Sequence, residues 1–265
     1  MKTVWLNLYA WMVAAATLFA VLSGAFAMNR EVPASGDWKV LSITGHWAAS
    51  AGVGLLLLGL AIGSLLAEKR LGVQRLGWML LAGTAATGGL GLVFGPTSFA
   101  GMGHAILGPL LLAAVVAIAW MTAGGWRREP QYVQDRGWPS LRGLGRNSVV
   151  LVVIQVVLGA AFRYEMLGVM WHILMAMVLV IFLLALVVLI TMLPPHPTLK
   201  PLAITLGVIL FVQVFLGLAV VSMGSGKSAN FAIVGLGAAH VAMGAVTLAA
   251  TVAMYLEIRR SVRAG

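Results

Sequence analysis

The sequence contains no cysteine and few charged residues, and each of these absences excludes a class of site or of protein. Without a thiol, the chain can form no disulfide, thiolate metal site, iron–sulfur cluster or cysteine nucleophile. Asp, Glu, Lys and Arg make up 9% of the 265 residues, whereas 61% are hydrophobic and the mean hydropathy is +1.02. Soluble domains do not have this composition, so the sequence predicts a polytopic membrane protein.

Acidic residues are the scarcest charged class, with 7 against 17 basic residues and a formal net charge of +10. No basic segment is interleaved with stacking aromatic residues, so we expect no nucleic-acid partner. Most Lys and Arg residues fall on one side of the predicted helices, and only Arg30, Lys39, Arg163 and Lys227 fall on the other. The positive-inside rule then predicts a bacterial-type inner-membrane protein with both termini cytoplasmic, whose basic side faces the anionic headgroups of the lipid bilayer.

Eight apolar runs are each about long enough to cross the hydrocarbon core. They cover roughly residues 4–26, 41–66, 76–95, 101–125, 148–163, 168–193, 201–222 and 230–256. We predict an all-α integral membrane protein with an N-terminal four-helix bundle (1–125), a cytoplasmic linker (126–147) and a C-terminal four-helix bundle (148–265). Because each half has an even number of spans, the halves should be related by a pseudo-symmetry axis along the membrane normal.

Every second apolar run has one histidine near its start. These are His46, His104, His172 and His240. Their spacing from the cytoplasmic ends places them at a similar depth, near the outer face. An imidazole at membrane depth is costly unless it is paired or ligated. Two histidines on antiparallel helices can supply both axial nitrogens of a haem iron. The repeat therefore predicts two haem-ligand pairs, His46 with His104 and His172 with His240.

The other polar residues in or near the spans indicate their roles less clearly than the histidines do. Arg163 is the leading candidate for pairing with a haem propionate, because a guanidinium binds a carboxylate bidentately, although a membrane-interface anchor would explain it as well. Lys39 and Lys227 are candidates of the same kind. Gln155 and Gln213 are interpreted as inter-helix hydrogen-bonding residues in preference to direct haem contacts.

His196 stands apart in the Pro-rich segment 194–197, and we interpret it as a turn residue. Zinc is disfavoured at the four membrane histidines because no three ligands cluster and no carboxylate stands at ligand spacing. Small residues beside the membrane histidines, such as Gly45, Gly103 and Gly237, would let a macrocycle approach the backbone.

With these residues in hand, the chain resembles the heme A synthase family of membrane proteins. Residues 45–54 look like that family's first histidine segment. Residues 155–163 and 213–221, each followed by a histidine, look like its C-terminal half, and the resemblance covers nearly the whole chain.

The resemblance implies a function for each histidine pair. His172 and His240 would hold a resident b-type haem, and His46 and His104 would receive haem O as substrate. Family members oxidise the C8 methyl group of haem O to a formyl group, which yields haem A.

One departure from the family leaves the activity open. Family members usually carry a glutamate three residues before the first histidine and an arginine directly after it, where this chain has Ile43 and Trp47. Two alternatives to the oxidoreductase therefore stand beside it. One is an electron-transfer subunit of a respiratory complex that holds two b-type haems and exchanges electrons with quinone or a cytochrome. The other is a haem carrier or assembly factor.

Overall fold

The computed structural model describes residues 2–28, 37–93, 99–135, 137–223 and 231–264, and this part of the chain is almost entirely helical. Arg30 and Lys227 lie outside the described residues. The helices of the described residues are α1 (Lys2–Ala27), α2 (Asp37–Ala67), α3 (Leu71–Val93), α4 (Phe99–Thr122), α5 (Gly124–Arg127), α6 (Leu141–Arg163), α7 (Val169–Met192), α8 (Leu199–Met223) and α9 (Phe231–Ser261).

Seven of the helices within the described ranges are long and apolar enough to cross a membrane. The long helix outside this set is α3, in which glycine, alanine and threonine replace much of the leucine and valine of the other helices. An all-α, multi-pass membrane protein is the architecture that these helices support. The count of eight spans and the side of each terminus stay predictions.

The long helices form two four-helix bundles. In the first bundle, α1 to α4 pack in a ring in which each helix contacts the next and α4 closes on α1; in the second, α6 to α9 repeat this arrangement. Between the bundles α4 packs on α9, flanked by α1 on α9 and by α4 on α6, which is the contact pattern of a two-fold pseudo-symmetry. The histidine-bearing helices, α2 with α4 and α7 with α9, are diagonal partners within their rings.

The sixth helix corrects a boundary drawn from sequence. It begins at Leu141, inside the segment predicted as linker, because Asp135 accepts a hydrogen bond from the Leu141 amide (2.7 Å) and Ser140 caps the first turn. Arg142 and Arg146 make its first turns polar, which hid them from a hydropathy-based reading. The linker also contains strand β1 (Val133–Asp135), which pairs in parallel with the C-terminal strand β2 (Val262–Ala264).

The large, fully buried side chains are confined to one half of each bundle, and the buried residues of the other half are mostly small. The largest fully buried side chains all lie in the half of their helix farther from the histidines. They are Leu6, Leu57, Leu60, Leu80, Ile118, Leu183, Leu186, Ile190, Leu199, Leu206, Leu248 and Met254. Most of the buried apolar volume therefore lies at the end opposite the histidines.

Glu257 joins the two bundles at that opposite end. Its side chain is 1% exposed and accepts hydrogen bonds from the Trp120 indole (3.1 Å), the Thr198 hydroxyl (2.7 Å) and the Ser261 hydroxyl (3.0 Å). Arg260 supplies a positive charge 3.4 Å away. Because Trp120 belongs to α4 and Glu257 to α9, this carboxylate links the first bundle to the second.

Replacing Glu257 by leucine should lower the free energy of unfolding by about 2 kcal/mol, because it removes the acceptor of the buried Ser261 hydroxyl and of the half-buried Trp120 and Thr198 donors. The expected readout is a lower midpoint of thermal unfolding in detergent. Glu129→Leu, in the exposed part of the linker, is the matched control and should leave the midpoint unchanged. Equal midpoints for both variants would show that Glu257 does not stabilise the bundle interface.

Candidate functional site

The structure brings the four membrane histidines together in two pairs. The ring centroids of His46 and His104 lie 5.9 Å apart with the ring planes at 89°, and those of His172 and His240 lie 6.2 Å apart at 82°. Between 18 and 21 residues separate each histidine from the opposite end of its helix, so both pairs have nearly the same depth. We call His46 with His104 the first site and His172 with His240 the second site.

The ring separation suits a shared metal ion. Metal–imidazole bonds are about 2 Å long, so two imidazoles bound to opposite faces of one iron have centroids about 6 Å apart, once the offset of each nitrogen from its ring centre is added. Both measured separations match this value. Within the described residues, no group of three histidine or acidic side chains could hold a metal ion.

Each imidazole is seated on a glycine of the preceding helix. A Cβ on these glycines would lie 2.7 and 2.9 Å from the Cε1 atom of the facing ring at Gly24 and Gly159, which is too close for a real contact, and 3.1 and 3.0 Å at Gly91 and Gly217, which is tighter than most real contacts. The seats are Gly24 for His46, Gly91 for His104, Gly159 for His172 and Gly217 for His240. The same device occurs four times, which indicates that the fold requires the imidazoles to lie hard against their neighbouring helices.

A backbone carbonyl in the turn before one glycine seat accepts a hydrogen bond from the ring. His104 Nδ1 donates to the Thr87 carbonyl oxygen at 2.9 Å, four residues before Gly91. An imidazole whose Nδ1 is held by a carbonyl presents Nε2 to a metal, and such partners fix both the tautomer and the ring orientation.

The two sites differ in their side-chain neighbours. At the first site the Ser23 hydroxyl lies 3.2 Å from His46 Nδ1. At the second site the Gln155 amide nitrogen lies 3.1 Å from His172 Nδ1 and 3.2 Å from Nε2, and it also donates to the His172 carbonyl oxygen. The Oε1 atoms of Gln155 and Gln213 and the Nδ1 atom of His240 are buried without a hydrogen-bond partner among the described residues.

Fewer residues are buried near the histidines in three of the helices. In α7 the buried residues begin at Leu179, and in α8 they end at Leu210, so His172 and Gly217 are themselves half-buried. In α3, no residue between Leu80 and 91 is buried.

The predicted propionate partners lie at the histidine end but bind backbone. The Arg163 guanidinium donates to the Ala25 carbonyl oxygen of α1, so it bridges the two bundles. Lys39 Nζ donates to the Ala27 carbonyl oxygen at 2.8 Å. Both cations thus stand within one turn of the glycine seats at Gly159 and Gly24, and a role towards propionates stays a prediction.

His196 belongs to neither site. It is 6% exposed and lies at the opposite end, where its Nδ1 accepts hydrogen bonds from the amides of Thr198 (3.3 Å) and Leu199 (3.1 Å) at the start of α8. Its Nε2 lies 3.1 Å from the Gln131 carbonyl oxygen. The ring therefore caps a helix, in keeping with a turn residue.

Sequence reasoning missed the glycine seats. It looked for small residues next to each histidine in the chain, but a Cβ on Gly45 would meet nothing within 4 Å. The sequence does show a glycine near the C-terminal end of each helix that precedes a histidine-bearing helix, and this pattern could have predicted the four seats. Residues 22–26 (LSGAF) resemble residues 158–162 (LGAAF), but this alignment pairs Gly24 with Ala160, whereas in the structure Gly24 and Gly159 are the glycines that face the histidine rings.

The chain matches no protein-family model and no curated protein sequence. The resemblance to heme A synthases therefore stays a prediction. What the site offers chemically rests on its own geometry, which is two pairs of imidazoles whose ring centroids lie 5.9 and 6.2 Å apart.

Proposed function

We propose that the protein binds one haem in each bundle and passes electrons between them. His46 and His104 would be the axial ligands at the first site, and His172 and His240 at the second. The observation that carries this proposal is the ring-centroid separation of 5.9 and 6.2 Å in two independent pairs, which is close to the separation of about 6 Å expected for two imidazoles bound to one iron.

A haem bound at either site supplies a one-electron redox couple. The residues of the chain position the imidazoles that would bind it. The glycine seats let the imidazoles stand back from the bundle axis, and the carbonyl oxygen of Thr87 holds the His104 ring in one tautomer. The large buried side chains of each bundle lie on the side of its site that faces the opposite end of the helices.

The relation between the two sites favours electron transfer. His104 lies on α4 and His240 on α9, and these two helices pack directly on each other. Packed helix axes are about 8–10 Å apart, so the two sites lie on either side of a single helix pair at one depth. In the predicted orientation both are near the outer face, where a quinone or a cytochrome could exchange electrons with them, alone or within a larger respiratory complex.

The surroundings of the first site favour electron transfer over oxidation of a bound haem. The buried carboxylates among the described residues, Glu68 and Glu257, lie at the opposite end. Three residues before His46 stands Ile43, which cannot take up a proton. Two imidazoles on one iron also leave no coordination position open for a reacting ligand.

Oxidation of haem O to haem A is the second candidate, and the inequality of the two sites favours it. A synthase needs one resident b-type haem and one substrate haem, whereas a simple electron carrier could use two equal sites. The second site has Gln155 and Gln213 where the first has Ala20 and Thr87, so the two sites would hold their haems differently.

A redox titration of the purified protein tests the proposal. Two one-electron transitions of b-type haem are expected. A single transition, together with haem O or haem A in the extract, would favour the synthase. Rapid loss of all haem to an apoprotein acceptor would instead identify a haem carrier and would contradict both.

Ile43→Glu separates the two candidates further. In cells that make haem O, the wild type should form no haem A. A carboxylate at position 43 lies one turn from His46, and general acid–base groups contribute about 10²–10⁴-fold, so any haem A should appear only in this variant. Ile43→Gln is the uncharged control. Haem A formed by the wild type would overturn electron transfer as the main function.

A further inference from the structure

The two sites differ at one repeated position. Four residues before each glycine seat, the chain has Ala20 and Thr87 at the first site but Gln155 and Gln213 at the second. Because four residues make about one helical turn, this position faces the same neighbouring helix as the seat. The second site therefore has an amide side chain on each of the two seat-bearing helices, and the first site has none at these positions.

The Gln155 amide is oriented by its contacts. Its nitrogen donates to the His172 carbonyl oxygen at 3.1 Å, and a carbonyl oxygen can only accept, so the nitrogen and not Oε1 must face His172. The same nitrogen lies 3.1 and 3.2 Å from the two ring nitrogens. The positive end of the amide dipole thus points at the imidazole.

Stability does not explain these glutamines. The Oε1 atoms of Gln155 and Gln213 are both buried without a hydrogen-bond partner among the described residues. An unsatisfied buried acceptor opposes folding, and leucine would fill a similar volume without that cost. The Gln213 amide nitrogen also lies 3.4 Å from the place of a Cβ on Gly244, one turn beyond His240, so both amides border the helices that carry the second pair.

We propose that Gln155 and Gln213 are positioning residues that raise the reduction potential of the second haem above that of the first, so that electrons collect in the second bundle. The inference rests on the proposed haem binding. The positive end of the Gln155 amide dipole beside the His172 ring would favour the less positively charged, reduced iron by electrostatics, and Gln213 borders the helix of His240 one turn away. At the first site, Ser23 and the Thr87 carbonyl oxygen border the rings, and the described residues place no side-chain amide there.

The test is a redox titration of the wild type and of Gln155→Leu, Gln213→Leu and the double variant. We expect the higher of the two midpoint potentials to move down in each variant, most in the double variant, while the lower midpoint and the haem content stay unchanged. Gln134→Leu, on an exposed linker position, is the matched control and should shift neither midpoint.

Three outcomes would overturn the inference: unchanged midpoints in the double variant, movement of the lower midpoint alone, or loss of the second haem, which would show that the amides hold the ligand instead of tuning it. Failure of the proposed function would look different. In that case the wild type itself would contain no haem, and there would be no midpoint to compare.

Discussion

His172→Ala and His240→Ala are each expected to remove one of the two haems. In the wild type the two rings of the second site lie 6.2 Å apart. Each variant leaves a single imidazole there, so the iron would lose one of its two histidine ligands. We expect the absorbance of the low-spin b-type haem band per protein to fall to about half in either variant, because the first site is untouched. Visible spectra of the reduced proteins, normalised to protein concentration, measure this loss.

The matched control is His196→Ala. This histidine is buried like His46 but caps α8 at the opposite end, so its removal should leave the haem spectrum unchanged even if it lowers stability. Unchanged spectra in both His172→Ala and His240→Ala would refute the ligand assignment. A loss shared equally by all three variants would indicate damage to the fold.

Gly159→Leu should prevent haem binding at the second site although both of its histidines are kept. Even a Cβ at this position would lie 2.9 Å from His172 Cε1, so a leucine side chain must push the imidazole away from its partner. Gly24→Leu should do the same at the first site, where a Cβ would lie 2.7 Å from His46 Cε1. Each variant is expected to keep one haem and lose the other, as judged by haem content and by which midpoint potential survives.

Gly235→Leu is the control for these glycine variants. A Cβ on Gly235 would meet nothing within 4 Å, although the residue lies on the same helix as His240. It should bind haem like the wild type. If Gly159→Leu and Gly24→Leu also bind two haems, the imidazoles need no seat and the close contacts carry no function.

The pairing of the histidines could be predicted from sequence because it follows from a repeat and from depth. His46, His104, His172 and His240 recur in every second run, and helix rise converts their spacing into one level. The diagonal placement of α2 and α4, and of α7 and α9, could not be read from spacing alone, because neighbouring and diagonal helices give the same depth.

Contacts between helices were harder to foresee than features along one helix. Gly159 lies 13 positions from His172 in the chain, and only the packing of α6 on α7 shows that it receives the ring. Gln155 was predicted to form an inter-helix hydrogen bond, and it does so with the His172 carbonyl oxygen, but its approach to the ring nitrogens needed the register of the two helices. The start of α6 was missed because Arg142 and Arg146 lower the local hydropathy.

The most direct measurement is the haem content of the purified protein, by extraction and chromatography of its pigments alongside protein quantification. The account predicts two haem B molecules per chain. Haem O or haem A in place of one of them would keep both binding sites and move the function to haem oxidation. Protein that is folded, contains no haem and takes up none when haem is added would contradict the claim that the two histidine pairs hold iron.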